Sequence, residues 1–291
     1  MDYSIYIDVS VDTEPAIIKE NEIRLVPMSY TIGGEERTCT ELESDEVLHD
    51  FYDQLRNGAD SGTSQITPTY YEETFAGEIK EGRGVLYISL SGGLSNTYSS
   101  SMVAISNLKE EYGDVHIETV DSLAATGGMG LLLERAIRNR DGGMSLEDNA
   151  KDLRQHALET SHWFMVDDLM FLKRGGRVSA ATAVVGTALN VKPVLKIDDN
   201  GKLVTVSKQR GRNKTIKHLV ELYMGARDEN QRQDIMIVHG DCREDAEKLK
   251  ALIEEANPEA NVRIQMLSPI IGAHTGPGML AVILWGNRNY M

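Results

Sequence analysis

The stretch from Gly84 to Tyr112 constrains the fold more than any other. Gly84-Val85-Leu86-Tyr87-Ile88 is an unbroken apolar run of strand length. Ser89-Leu90-Ser91-Gly92-Gly93-Leu94-Ser95-Asn96-Thr97-Tyr98 follows, rich in glycine and hydroxyls. Tyr98, Met102, Ile105, Leu108 and Tyr112 then recur at helical spacing. A strand, a tight turn and a helix in that order form part of a βαβ unit. They predict a parallel sheet covered by helices. The turn places backbone N–H groups and hydroxyl donors at the positive end of a helix, which suits one oxygen-rich anion. No Lys or Arg lies inside it, which favours a carboxylate over a polyphosphate.

Other segments of the first half repeat the alternation. Ser4–Ile7 and Ile23–Val26 read as strands, and Val115–Val120 as another. Ser44 caps a helix from Asp45 to Leu55, and Asn57-Gly58 stops it. Pro68 opens a helix through Phe75. Small residues from Ala124 to Asn139 form a further helix, and Ser145 begins one through Leu158. Asp8, Ser89 to Ser91 and Asp121-Ser122 then share the carboxyl edge of the sheet, where ligands gather in such folds.

The second half reads as α+β. Trp163–Val166, Val191–Ile197 and Lys202–Ser207 are strand-like, and Asp199-Asn200-Gly201 joins the latter two as a hairpin. Ile216, Leu219, Val220 and Tyr223 mark one helix, and Ala246, Leu249, Ile253 and Ala256 another. Ile235–Val238 and Val262–Met266 frame the latter as strands, and a helix spans Ala180–Leu189. The fold class is therefore α/β, with a parallel-sheet domain over residues 1–160 and an α+β domain over 161–291.

A formal net charge of −15 disfavours nucleic acid and anionic membrane surfaces as partners. Cys39 and Cys242 cannot build a disulfide framework and have no metal-ligand spacing. No run approaches the ~18 apolar residues that span a bilayer, and the first residues do not form a signal peptide. These features predict a cytoplasmic protein. There is no P-loop, no dinucleotide fingerprint (Gly127-Gly128-Met129-Gly130 has the wrong spacing) and no Gly-x-Ser-x-Gly elbow. His116, His156, His162, His218 and His239 lack carboxylates at telling distances, although His239-Gly240-Asp241 could line a cleft.

Three polar turns carry the chemistry. Thr63-Ser64-Gln65 precedes Thr67-Pro68, and Thr63 and Ser64 also fit as caps of the helix there. In the glycine turn, Ser95 fits as a helix N-cap, whereas Ser91 has no capping duty and is the better ligand candidate. His274-Thr275-Gly276-Pro277-Gly278 places a histidine on a constrained backbone, where its pKa can be pulled upward by an anion. Two basic patches stand against the acidic background. One is Leu172-Lys173-Arg174-Gly175-Gly176-Arg177-Val178-Ser179, and the other is Lys208, Arg210 and Arg212. They suit a phosphate-bearing species or an acidic partner surface.

Five motifs occur in order. They are Thr63-Ser64-Gln65-x-Thr67-Pro68, Ser91-Gly92-Gly93-Leu94-Ser95-x-Thr97-Tyr98, the Leu172–Ser179 run, Asn190-Val191-Lys192-Pro193 and Gly272-x-His274-Thr275-Gly276-Pro277-Gly278. Together they resemble the DegV family of bacterial fatty-acid-binding proteins, from Asp8 to about Gly286. The resemblance implies one fatty acid, palmitate-like, held between two domains. Its carboxylate would be gripped by Thr63 and Ser91 with His274 beside it, and Ser64, Gly92, Ser95, Thr275 and Gly276 would complete the site. No metal or further cofactor is implied. Some members of the family present the acid to a separate ATP-binding kinase, which converts it to an acyl phosphate. Arg174, Arg177, Lys208 and Arg210 would then contact phosphate or that partner. Departures from the family pattern are Ile66 for Pro, Gly92 for a second Ser, Asn96 for Gly, and Asp8-Val9-Ser10 for Asp-Ser. The alternative reading is an acyl hydrolase or transferase, with Ser91 or Thr63 as nucleophile and His274 as base, but no acid is nominated to orient the histidine.

Overall fold

The computed structural model describes residues 2–179, 190–231 and 233–290. The helix expected over Ala180–Leu189 lies outside them.

The first half builds a four-stranded parallel sheet from β1 (Tyr3–Asp8), β2 (Arg24–Val26), β6 (Gly84–Ser89) and β7 (Ile117–Asp121). The order is β2-β1-β6-β7, with Ile7 opposite Ile88 and Ser89 opposite Asp121. All six residues of β6 are buried, as expected of a strand covered on both faces. The helices are α1 (Pro15–Glu20), α2 (Asp45–Arg56), α3 (Pro68–Lys80), α4 (Thr97–Tyr112), α5 (Gly127–Asp141) and α6 (Leu146–His156). Ser44 caps α2 through the Val47 amide, and Ser145 caps α6 through the Asp148 amide. Thr67, rather than Thr63 or Ser64, caps α3.

A small antiparallel sheet was not expected. It joins β3 (Met28–Ile32), β4 (Glu35–Cys39) and β5 (Ser61–Thr63) in the order β4-β3-β5. Its hairpin turns at Gly33-Gly34, both with positive φ. That is the residue pair a two-residue turn of this hand demands, so the signal was present in the chain.

The second half forms a six-stranded sheet from β8 (Thr160–Met165), β9 (Val191–Ile197), β10 (Leu203–Arg210), β11 (Asp234–His239), β12 (Asn261–Met266) and β13 (Leu280–Trp285). The order is β10-β9-β8-β13-β11-β12. All pairs are antiparallel except β11 with β12. The expected β9–β10 hairpin is present, with Gly201 at φ +69. Its helices are α7 (Leu169–Arg174), α8 (Arg212–Ala226), α9 (Arg243–Ala256) and α10 (Pro269–Thr275).

One core contains residues of both large sheets, from Ile5 and Ile88 to Phe164 and Ile283. A second packs α8 and α9 on the six-stranded sheet through Trp163, Leu219, Tyr223 and Leu249. Helix α5 touches strands of both large sheets. Its glycines make the approach to the six-stranded sheet fit: a Cβ on Gly127 would stand 2.7 Å from the Met236 side chain, and one on Gly128 2.1 Å from His162. No helix among the described residues is long and apolar enough to cross a membrane.

Candidate functional site

A narrow cavity opens where the two halves meet, lined by residues of both. Its wall is apolar. Strand alternation aims Met279, Ala281 and Ile283 at it, while Leu280, Val282 and Leu284 enter the second core. Leu90, Phe164 and Ile197 extend the wall.

The polar end is assembled from four separate segments. Thr63 ends β5, which is held by pairing with β3, where Tyr30 stands opposite Thr63. The Ser61 hydroxyl donates to the Ala273 carbonyl at 2.9 Å and ties β5 to α10. His274 sits in the last turn of α10, with Nε2 2.8 Å from the Thr63 hydroxyl oxygen. Its Nδ1 side faces Gly175, where an added Cβ would come within 2.2 Å. Burial, then the charge of Arg177, pull the His274 pKa down to about 4. The imidazole of the ligand-free protein is therefore neutral at pH 7, poised to become charged when an anion arrives.

Arg177 follows a turn that closes α7, in which Gly176 has φ +74 and the Arg177 amide donates to the Leu172 carbonyl at 2.9 Å. The guanidinium donates to the Leu94 carbonyl at 3.1 Å and to the Gly175 carbonyl. It is half-buried, lines both the cavity and its polar mouth, and has no carboxylate partner among the described residues. Burial lowers its pKa. Ser95 lines the same two spaces, its hydroxyl 2.7 Å from that of Thr97.

The two serines of the glycine turn have different surroundings. Ser91 is fully buried and does not line the cavity. Its hydroxyl donates to the Gly201 carbonyl at 2.9 Å and accepts from the Gly93 amide at 3.1 Å. The turn is clamped on the tip of the β9–β10 hairpin, so closely that a Cβ on Gly93 would meet the Asn200 and Gly201 carbonyl oxygens at 2.5 Å. Asn96, not Ser95, is the N-cap of α4, and its side chain makes no capping bond. Gly92 explains its own departure from the family pattern. Its amide donates to Asp121 at 3.1 Å, and a Cβ there would lie 2.8 Å from the same carboxylate.

The remaining candidates divide. Ser64 and Gly92 line the mouth. Thr275 lines the cavity, with its hydroxyl donating back to Ile271. Gly276, at φ +73, is packed against the Phe171 ring. Arg174 is exposed, stacks 4.5 Å over Phe171 and lies 3.4 Å from Asp60. Lys208 and Arg210 are exposed on the edge strand β10, off the cavity. Arg212 is bound by Asp167 and Asp245. Asp241 pairs with His49 and Arg56, and neither it nor His239 lines the cavity. Two lining residues escaped the sequence reading. His162, kept neutral by burial with its pKa near 3, and Thr126 both border the cavity. Nothing in their local spacing distinguishes them from core positions. Among the described residues no group of three or more His, Cys, Asp or Glu could hold a metal ion.

The arrangement offers hydroxyl, imidazole and guanidinium donors on the lining of an apolar cavity, groups able to bind a carboxylate. Comparison with known proteins gives the chain its relatives. The family model whose description reads "Uncharacterised protein, DegV family" matches residues 3–286. A DegV domain-containing protein of Clostridium perfringens is 35% identical over 286 residues, covering 98% of each chain. The solved fatty acid binding DegV family protein of Streptococcus agalactiae superposes with TM-score 0.84 at 26% identity, over 97% of this chain and 98% of that one. The Streptococcus pneumoniae fatty acid kinase (Fak) B3 protein, loaded with linoleic acid, superposes with TM-score 0.82 at 21% identity, over 99% and 100% of the two chains.

Proposed function

This chain belongs to the DegV family, and on that footing we propose that it carries one long-chain fatty acid between a domain of residues 1–160 and one of 161–291. The acyl chain fills the apolar cavity, and the carboxylate sits among Thr63, Ser95, His274 and Arg177. Ser91 supports the turn from behind. The observation that carries this reading is the Thr63–His274 pair, 2.8 Å apart, at one end of a cavity walled by Met279, Ala281 and Ile283. Each buried methylene contributes ~0.8 kcal/mol before the costs of binding, so the tail supplies affinity and the polar end supplies orientation. A hydroxyl beside an imidazole also resembles a nucleophile and its base. Here the far side of the imidazole abuts Gly175 rather than an orienting carboxylate, which favours binding over hydrolysis.

The bound acid is further proposed to be the substrate of a separate ATP-dependent kinase. Support comes from the pneumococcal neighbour, a fatty acid kinase B protein, and from Arg177, a cation at the mouth able to offset the charge added when a carboxylate becomes an acyl phosphate. Arg174, Lys208 and Arg210 would face that partner.

Denaturing extraction of the purified protein into organic solvent, followed by mass analysis, tests the first claim. One long-chain fatty acid per chain is expected; recovery of no free fatty acid refutes it. Mixing the loaded protein with such a kinase, ATP and hydroxylamine tests the second, with the acyl hydroxamate as the expected product and its absence as the contrary result.

A further inference from the structure

A second cavity, of about 200 Å³, lies apart from the proposed lipid site. It is enclosed by the segment after β1, the loop between β4 and α2, and the turn before α10. Three side chains on its lining are more than nine-tenths buried and carry an oxygen without a well-formed hydrogen bond, the Ser268 hydroxyl lying close enough to Asp12 to lower its pKa. They are Asp12, 5% exposed, through Oδ2; Thr13, 3% exposed, through Oγ1; and Ser268, 7% exposed, through Oγ. The other carboxylate oxygen of Asp12 accepts the Ser268 amide at 2.7 Å, so the group is fixed in place. Glu41, Glu43 and Asp45 also border the space, and no Lys or Arg lines it.

A buried carboxylate with a spare oxygen and no counter-charge is unfavourable, and it is relieved either by a proton or by a cation. Burial raises the Asp12 pKa to about 7, against the lowering effect of the Ser268 amide and hydroxyl beside it. The surroundings favour the cation. The Ser268 hydroxyl stands beside the carboxylate and the Thr13 hydroxyl oxygen on the same lining has no partner, both hard oxygen donors of the kind that coordinate alkali ions. The bordering acids attract positive charge toward the opening. Among the described residues these acids do not form a group of three or more carboxylates able to hold a metal ion, so the site rests on Asp12 and the two hydroxyls.

We propose that this cavity binds one small monovalent cation, an alkali ion or the ammonium head of a primary amine, on Asp12, Thr13 and Ser268. The site is independent of the lipid reading. The test is thermal unfolding of the full chain at fixed ionic strength in sodium, potassium, methylammonium or N-methylglucamine chloride. A saturable rise of about 2–4 °C is expected with at least one of the three small cations but not with the bulky glucamine. The inorganic and amine arms tell the two sources apart. Asp12→Asn, which can still accept the Ser268 amide, should abolish the rise. Identical curves in all four salts, or a rise retained in Asp12→Asn, overturn the proposal. Should Asp12→Asn fail to fold, Thr13→Val decides: a half-saturating concentration about tenfold higher supports the site, and an unchanged one overturns it.

Discussion

The wall and the mouth of the apolar cavity are built by opposite rules. The wall comes from regular structure: Met279, Ala281 and Ile283 are alternate residues along one strand segment, and their neighbours face another core. The mouth comes from chain ends and turns. Thr63 and His274 are separated by 211 positions and meet only because β5 pairs with β3 and α10 docks on β5. A wall of this kind tolerates exchange of one apolar residue for another of similar volume. A mouth of this kind depends on each donor separately, because no neighbour in sequence can replace it.

The largest expected effect comes from the wall. Ala281→Trp should fill the cavity and lower fatty-acid affinity about 100-fold or more, through lost methylene burial and overpacking. Val282→Ala, on the opposite face of the same strand, should lower stability and leave affinity within about threefold. Titration with a fluorescent fatty acid, beside melting curves, measures both. Equal affinity losses in the two variants would break the distinction between the faces.

His274→Ala removes one donor and should weaken binding about 10-fold to 100-fold, the range for a hydrogen bond to a charged group. The histidine also makes binding pH-dependent. Its pKa is about 4 in the free protein, and a bound carboxylate raises it. Binding then takes up protons at a pH between the free and bound values, and affinity grows as the pH falls through that window. Calorimetry at pH 5.5 in buffers of different ionisation enthalpy should register uptake in the native protein and a smaller value in His274→Ala. Heats independent of buffer would show that the imidazole does not face the carboxylate.

The smallest effect separates the two serines. Ser95→Ala should weaken binding about fivefold, in line with about 1 kcal/mol for a hydrogen bond, with little change in melting. Ser91→Ala should do the reverse, costing roughly 1–3 kcal/mol because the buried Gly201 carbonyl loses its donor. The opposite pattern would return Ser91 to the ligand and reassign Ser95 to the turn.

Regular elements were legible where burial imposed a period. The all-buried run of β6, the Ser44 and Ser145 caps and the Asp199-Asn200-Gly201 hairpin all follow from local chemistry. The β3–β4 hairpin was missed although Gly33-Gly34 announced it, because its strands are short and polar on one face. The serine roles were not legible. Ser91 and Ser95 look alike in the chain, and only the hairpin tip, 110 residues from Ser91, decides which hydroxyl is consumed. Thr126 and His162 escaped for a related reason: polar residues in a core position and in a cavity wall share the same local pattern.

Helix α5 meets the six-stranded sheet with glycine, laying its backbone directly on the Met236 and His162 side chains. His162 in turn borders the cavity. On the proposed function, a side chain added at Gly128 would therefore be felt by the bound acyl chain as well as by the packing of the layers.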